Sequence, residues 1–153
     1  MKEGCLCRST EKVGQGVALL ALRLFAAYEF GEAGWEKWNG ENWFADIRDA
    51  FPFPFDLLPA GLSWNLAMGA ELLVPLLLVF GLFTRLGAAA LMVLTAVAWY
   101  AVHAGNGYNV CDNGYKMAFI YLILLLPLLL QGAGRFSLDA LLMRSKKQVA
   151  DGQ

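Results

Sequence analysis

Charged positions cluster along the chain, and between the clusters lie four stretches nearly free of them: 13–30, 62–83, 86–104 and 117–130. A helix needs ~20 apolar residues to cross a bilayer, with a working range of ~17–25. The second and third stretches meet that outright. The first meets it by extending to Trp35, and the fourth by taking in Asn113–Lys116 and Gln131. The pattern predicts an all-α integral membrane four-helix bundle forming one domain. Its helices fall at about 13–35, 62–83, 86–104 and 113–131, with an outer loop at 36–61, an interfacial helix and lid within it, and a tail at 132–153. Arg23 interrupts the first stretch and no small-x-small site follows, so the stretch reads as a retained helix rather than a signal peptide.

Composition strengthens this. Of 153 residues, 58% are apolar and 16% charged, against about a quarter charged in a soluble domain. Lys and Arg collect before the first helix, at Thr84-Arg85 and after the fourth helix. The positive-inside rule then places both termini in the cytoplasm and makes the protein multi-pass. Glu32, Glu36, Glu41, Asp46, Asp49, Asp56 and Asp112 gather on the outer side. Cys5 and Cys7 lie inside and Cys111 outside, so no disulfide can join the two sets across the bilayer. Cys5-x-Cys7, without further ligands nearby, is a weak metal signal. The sequence has no glycine-rich nucleotide loop, no His-Glu-x-x-His, no Cys-x-x-Cys and no glycine-elbow serine.

Local signals fill in the outline. Tyr28, Trp35 and Trp38 share one face of the first helix as an interfacial belt, beside a face of Glu29, Glu32 and Glu36. Asn42 caps a short interfacial helix with Trp43, Phe44, Ile47 and Phe51 on one side. Phe51-Pro-Phe-Pro-Phe55 is expected to be extended, because residues before proline leave the helical region. Ser63 is the expected N-cap of the second helix, and Pro75 is expected to bend that helix beside Glu71. Gly87–Ala90 suit close helix packing. Ser137 caps a short amphipathic helix, with the basic cluster Arg144–Lys147 beyond it.

Two sets of residues carry candidate chemistry. Counting from Lys12 and from Arg85 puts Arg23 and Glu71 roughly 16 and 21 Å from the inner surface. At one depth they are expected to pair or share a water, either as a structural clamp or as a proton or quinone-headgroup site. On the outer face His103, Cys111 and Met117 offer imidazole, thiolate and thioether, a set that suits copper. The alternative is that Cys111 acts alone through a transient mixed disulfide.

Arg23-Leu24, the buried Glu71, Gly81-Leu-Phe-Thr-Arg85 and Gly132-Ala-Gly-Arg-Phe-Ser-Leu-Asp139 resemble the DoxX family of four-helix bacterial membrane proteins. Tyr28-Glu29, Glu41–Asp46, Phe51–Phe55 and Tyr108–Lys116 are similar to its HvfX branch, which is associated with gene clusters for copper-binding modified peptides. The resemblance implies an inner-membrane redox subunit, an oxidoreductase of thiol/quinone type, coupling an outer-face thiol or copper-binding peptide to the quinone pool. Cys111, Glu71 and Arg23 would be catalytic, and Arg23, Glu71, Trp99 and His103 would hold the quinone. Copper would sit on His103, Cys111 and Met117. The implied partners are membrane lipid, an exported copper-binding peptide or its maturation proteins, and a second copy in a homo-oligomer; nucleic acid is not among them. The alternatives are a non-enzymatic docking, export or maturation-accessory factor for such a peptide, and a purely structural subunit.

Overall fold

The computed structural model describes residues 3–142, with side chains described from Glu11 onward. The Cys5 and Cys7 side chains and the Arg144–Lys147 cluster therefore lie outside the described residues. Four helices make the bundle: α1 (Glu3–Asn39), α2 (Ala60–Phe80), α3 (Thr84–Ala98) and α4 (Lys116–Gln131). Among the described residues there is no strand. Three of the helices are long and apolar enough to span a membrane, α3 with its continuation to His103. The chain is a multi-pass helical membrane protein.

Small residues set how the helices meet. A Cβ on Gly34 would stand 2.8 Å from the Glu71 backbone carbon, and one on Gly31 would stand 3.7 Å from Pro75. These approaches fix α1 and α2 as antiparallel neighbours. Gly87 of α3 lies as close to Val74 of α2, near the short 81–83 turn. From that tight end, called here the turn end, α2 and α3 separate towards the opposite loop end. The shared core of Leu19, Ala26, Ala27, Phe30, Val74, Leu78, Ala88, Leu91, Leu125 and Leu128 fills the bundle.

Several boundaries depart from the sequence expectation. α2 begins at Ala60 behind Pro59, not behind Ser63, because the Leu62 and Ser63 amides both donate to the Pro59 carbonyl. Ser63 is thereby taken inside the helix. α2 then runs unbroken through Pro75. The carbonyl that the proline leaves unpaired, that of Glu71, faces Gly34, where a Cβ would stand 2.9 Å away. α4 starts at Lys116 rather than 113, since Asn113 is left-handed and the Gly114 amide turns back to the Asn109 carbonyl. Ser137 does cap the turn at 138–142, accepting from the Ala140 amide at 3.2 Å.

The 40–59 loop is a lid built on aromatic packing. Asn42 caps a 3₁₀ turn, Trp43–Ala45, by accepting from the Phe44 amide. Phe44 is buried between Phe51 and Trp64, with ring centroids 5.2 and 5.1 Å away, and Trp43 meets Trp64 edge-on. The Phe51–Phe55 segment is a turn, not an extended strand, and its Phe53–Pro54 peptide is cis. An extended chain would put Phe51, Phe53 and Phe55 on one side. The turn, closed by the Phe55 amide on the Pro52 carbonyl, instead sends Phe51 and Phe55 inward and leaves Phe53 79% exposed. Truncating Phe44→Ala removes the centre of this cluster and should weaken lid docking by about 3 kcal/mol, roughly a hundredfold in the open population. Limited proteolysis within 40–59 measures this; unchanged cleavage would mean that the aromatic cluster does not hold the lid.

Candidate functional site

Where α2 and α3 separate, they enclose a chamber of about 510 Å³. Its walls are one face of α2 (Ser63, Leu66, Ala67, Glu71), one face of α3, and the inward aromatics of the lid. Lys37 of α1 closes its back. Leu66 and Val93 line the chamber from within the length of α2 and α3 and are both exposed, so the space opens sideways between these helices. Such a volume, largely apolar with a few convergent polar groups, is the usual form of a small-molecule site.

The α3 lining shows how the chain delivers its histidine. Val93, Val97 and Val102 line the chamber, as do Leu94, Ala98 and His103, so the interval lengthens from four residues to five. The extra residue is a π turn at Trp99–His103. Single π turns rotate the positions beyond them and recur at functional sites. Here the turn brings Val102 and His103 to the chamber. The His103 Nδ1 meets the Asn113 carbonyl at 2.8 Å. A carbonyl only accepts, so Nδ1 carries the hydrogen, and in neutral imidazole Nε2 keeps its lone pair.

Charge inside the chamber is organised differently from the sequence expectation. Glu71, 3% exposed, pairs with Lys37 at 2.7 Å, not with Arg23. Arg23 lies at the turn end, beside Gly81 and Ser137, and donates to the Phe136 carbonyl. Ten residues of α2 separate the Gly81 level from Glu71, about 15 Å along the axis. Counting from Lys12 misplaced Arg23 because α1 continues unbroken below it; the 81–83 turn, not Lys12, marks that end of the bundle. Ser63 lines the chamber with its hydroxyl buried and without a hydrogen-bond partner.

The other expected site residues are dispersed. Trp99 stacks on Tyr115 at 5.0 Å and meets Phe119 edge-on, so it packs against α4 and does not line the chamber. Cys111 is a free, exposed thiol in a 3₁₀ turn, and Met117 is exposed at the start of α4; neither lines the chamber. Of the expected copper ligands the chamber wall thus includes His103 alone. Among the described residues, no group of three His, Cys, Asp or Glu side chains is placed to hold a metal. Two features escaped the sequence reading. Lys37 belongs to α1, which runs on to Asn39, and not to the outer loop expected from residue 36. Glu29 accepts from the Tyr121 hydroxyl at 2.5 Å across α1 and α4, and no signal in the sequence pairs those two positions.

An uncharacterized protein of Haemophilus influenzae is 58% identical over 132 residues, spanning 86% of this chain and 87% of its own. A second uncharacterized protein from the same organism is 38% identical over 72 residues, spanning 45% of this chain and 54% of its own. No solved structure matches. The DoxX family model matches residues 18–104, from the middle of α1 through the chamber-lining π turn, and the chain belongs to the DoxX family.

Proposed function

We propose that this DoxX protein binds a membrane-soluble ring compound of the quinone class in the α2–α3 chamber and serves as a redox subunit for a thiol-bearing partner at the loop end. The observation that carries the reading is the Lys37–Glu71 pair at the back of an apolar chamber open towards lipid. The fit is chemical. Aromatic and aliphatic walls accept a ring and its apolar tail, while Lys37 and the unpartnered Ser63 hydroxyl can donate to a ring carbonyl. A bound quinone would supply an acceptor of two electrons and two protons. Glu71 beside Lys37 is the group placed to pass protons into the chamber, and the lid and helices exclude water around it.

The basic turn end is taken as cytoplasmic and the loop end as external, in a bacterial inner membrane, following the distribution of Lys and Arg. Cys111, exposed at the loop end, would join one partner thiol in a mixed disulfide, an oxidation whose two electrons and two protons pass to the bound quinone. A second partner thiol then displaces it, restoring the Cys111 thiol and leaving the partner disulfide. The two electrons and two protons released match what the acceptor takes up. A copper-binding peptide of the kind linked to the HvfX branch is one candidate partner.

The second reading is a docking, export or maturation factor for such a peptide. Cys111 standing off the chamber favours it, as do Phe53 and Leu57, exposed on the lid. Fluorescence of Trp43 and Trp64, titrated with a short-chain ubiquinone analogue in purified protein, separates the readings. Saturable quenching is expected, at least tenfold weaker in Ala67→Phe and Ala98→Phe, which fill the chamber. Equal quenching in both variants would remove the chamber as the quinone site. With a dithiol donor, turnover should vanish in Cys111→Ser while binding stays; binding without turnover from any thiol donor would favour docking.

A further inference from the structure

A groove lies at the turn end, apart from the chamber. It is lined by the 83–86 segment, the 131–134 segment, Ser137, Asp139 and Leu142. Its floor is the start of α3. Phe83 precedes that helix in a left-handed conformation and supplies no side-chain cap. The first bond into the helix is from the Gly87 amide to the Phe83 carbonyl, so the amides before Gly87 have no partner within the helix. Uncapped amides at a helix start attract anions, aided by the helix dipole.

A second observation, separate from the helix end, points the same way. Thr84 lines the groove at 1% exposure, and its Oγ1 is buried without a hydrogen-bond partner. A buried hydroxyl left unpaired is costly and calls for a partner. Arg85 adds a cation to the wall. One of its nitrogens donates to the Leu130 carbonyl at 3.0 Å, which anchors the side chain at the groove. Asp139 also lines the groove, and its amide donates to the Gly81 carbonyl. Arg85 and the helix start are the positive groups of the wall, set against this one carboxylate.

We infer that this groove binds a phosphate group, and that the phosphate belongs to an anionic phospholipid headgroup. The choice of lipid over free phosphate rests on the rim. Phe83, Leu86 and Leu142 line the groove and are exposed apolar side chains, a surface that suits acyl chains and offers nothing to a free ion. The Thr84 hydroxyl and the α3 amides donate to phosphate oxygens, and Arg85 supplies the charge.

Native mass spectrometry of the full-length protein released from detergent tests this, with dioleoylphosphatidylglycerol, dioleoylphosphatidylcholine and inorganic phosphate as probes. One phosphatidylglycerol should be retained, about tenfold in preference to phosphatidylcholine. Arg85→Gln and Thr84→Val should each weaken retention about tenfold. Arg135→Gln, which removes an equal charge from outside this groove, should change nothing. Arg85 is exposed, so Arg85→Gln carries the test if Thr84→Val does not accumulate. Equal retention of both lipids by every variant would overturn the site. Tight inorganic phosphate with no retained phosphatidylglycerol would overturn the lipid assignment.

Discussion

Lys37→Met should destabilise the folded protein by about 3 kcal/mol, and Lys37→Met combined with Glu71→Met should recover most of that loss. The single change leaves the Glu71 carboxylate, 4% exposed in its side chain, without the ionic partner it has among the described residues. Removing one member of a buried pair typically costs more than the intact pair contributes, because the remaining charge stays desolvated. Replacing both by apolar groups of similar volume removes that penalty. Thermal aggregation of purified protein, followed by the surviving monodisperse peak, measures the difference. The double variant also separates structure from chemistry. A stable double variant that no longer binds the quinone analogue means the pair serves the ligand; one that binds normally reduces the pair to a clamp. Equal stability of single and double variants would contradict the buried-pair account.

Gly81→Ala should be the most damaging single methyl group in the described part of the chain. Gly81 has φ +67, and an alanine there costs ~1–3 kcal/mol in backbone strain alone. Its Cβ would also fall on the Arg23 guanidinium and stand 2.5 Å from the Ser137 Cβ. Arg23 is 1% exposed, and among its nitrogens Nη2 alone has a hydrogen-bond partner, the Phe136 carbonyl. Displacing it breaks the contact tying α1 to the segment after α4. The combined loss should reach about 3–5 kcal/mol and appear as failure to accumulate in the membrane. Gly69→Ala, where a Cβ meets nothing within 4 Å, is the control and should be neutral or slightly stabilising. Normal accumulation of Gly81→Ala would show that the turn end tolerates a displaced Arg23.

The helices were legible because charge-free runs report bilayer thickness directly. The lid was partly legible: Asn42 caps as expected, though 3₁₀ turns stand where a short interfacial helix was expected, and Trp43, Phe44, Ile47 and Phe51 share the inward side that their spacing indicated. Ser137 likewise caps as its position suggested. What failed was anything needing a register between helices. The Glu71 partner depends on Gly31 and Gly34 bringing α1 onto α2, and one-dimensional counting from Lys12 chose Arg23 instead. Lys37 looked like a loop residue because hydropathy falls before the helix ends. The π turn left no mark at all, since Trp-Tyr-Ala-Val-His continues an α-helical pattern as well as it breaks one. Glu29 and Tyr121 are 92 positions apart and meet only once α1 and α4 are side by side.

The sideways opening between Leu66 and Val93 changes what affinity means for the chamber. A ligand arriving by that route is counted in molecules per lipid, not per litre of water. Its rivals are the acyl tails that always surround the slot. Occupancy would then follow the makeup of the bilayer and stay indifferent to a compound's aqueous solubility. A detergent with a long flexible tail becomes an inhibitor by geometry, whatever its headgroup. Constants measured in micelles would thus shift with micelle concentration, while those measured in nanodiscs should hold steady when expressed as mole fraction.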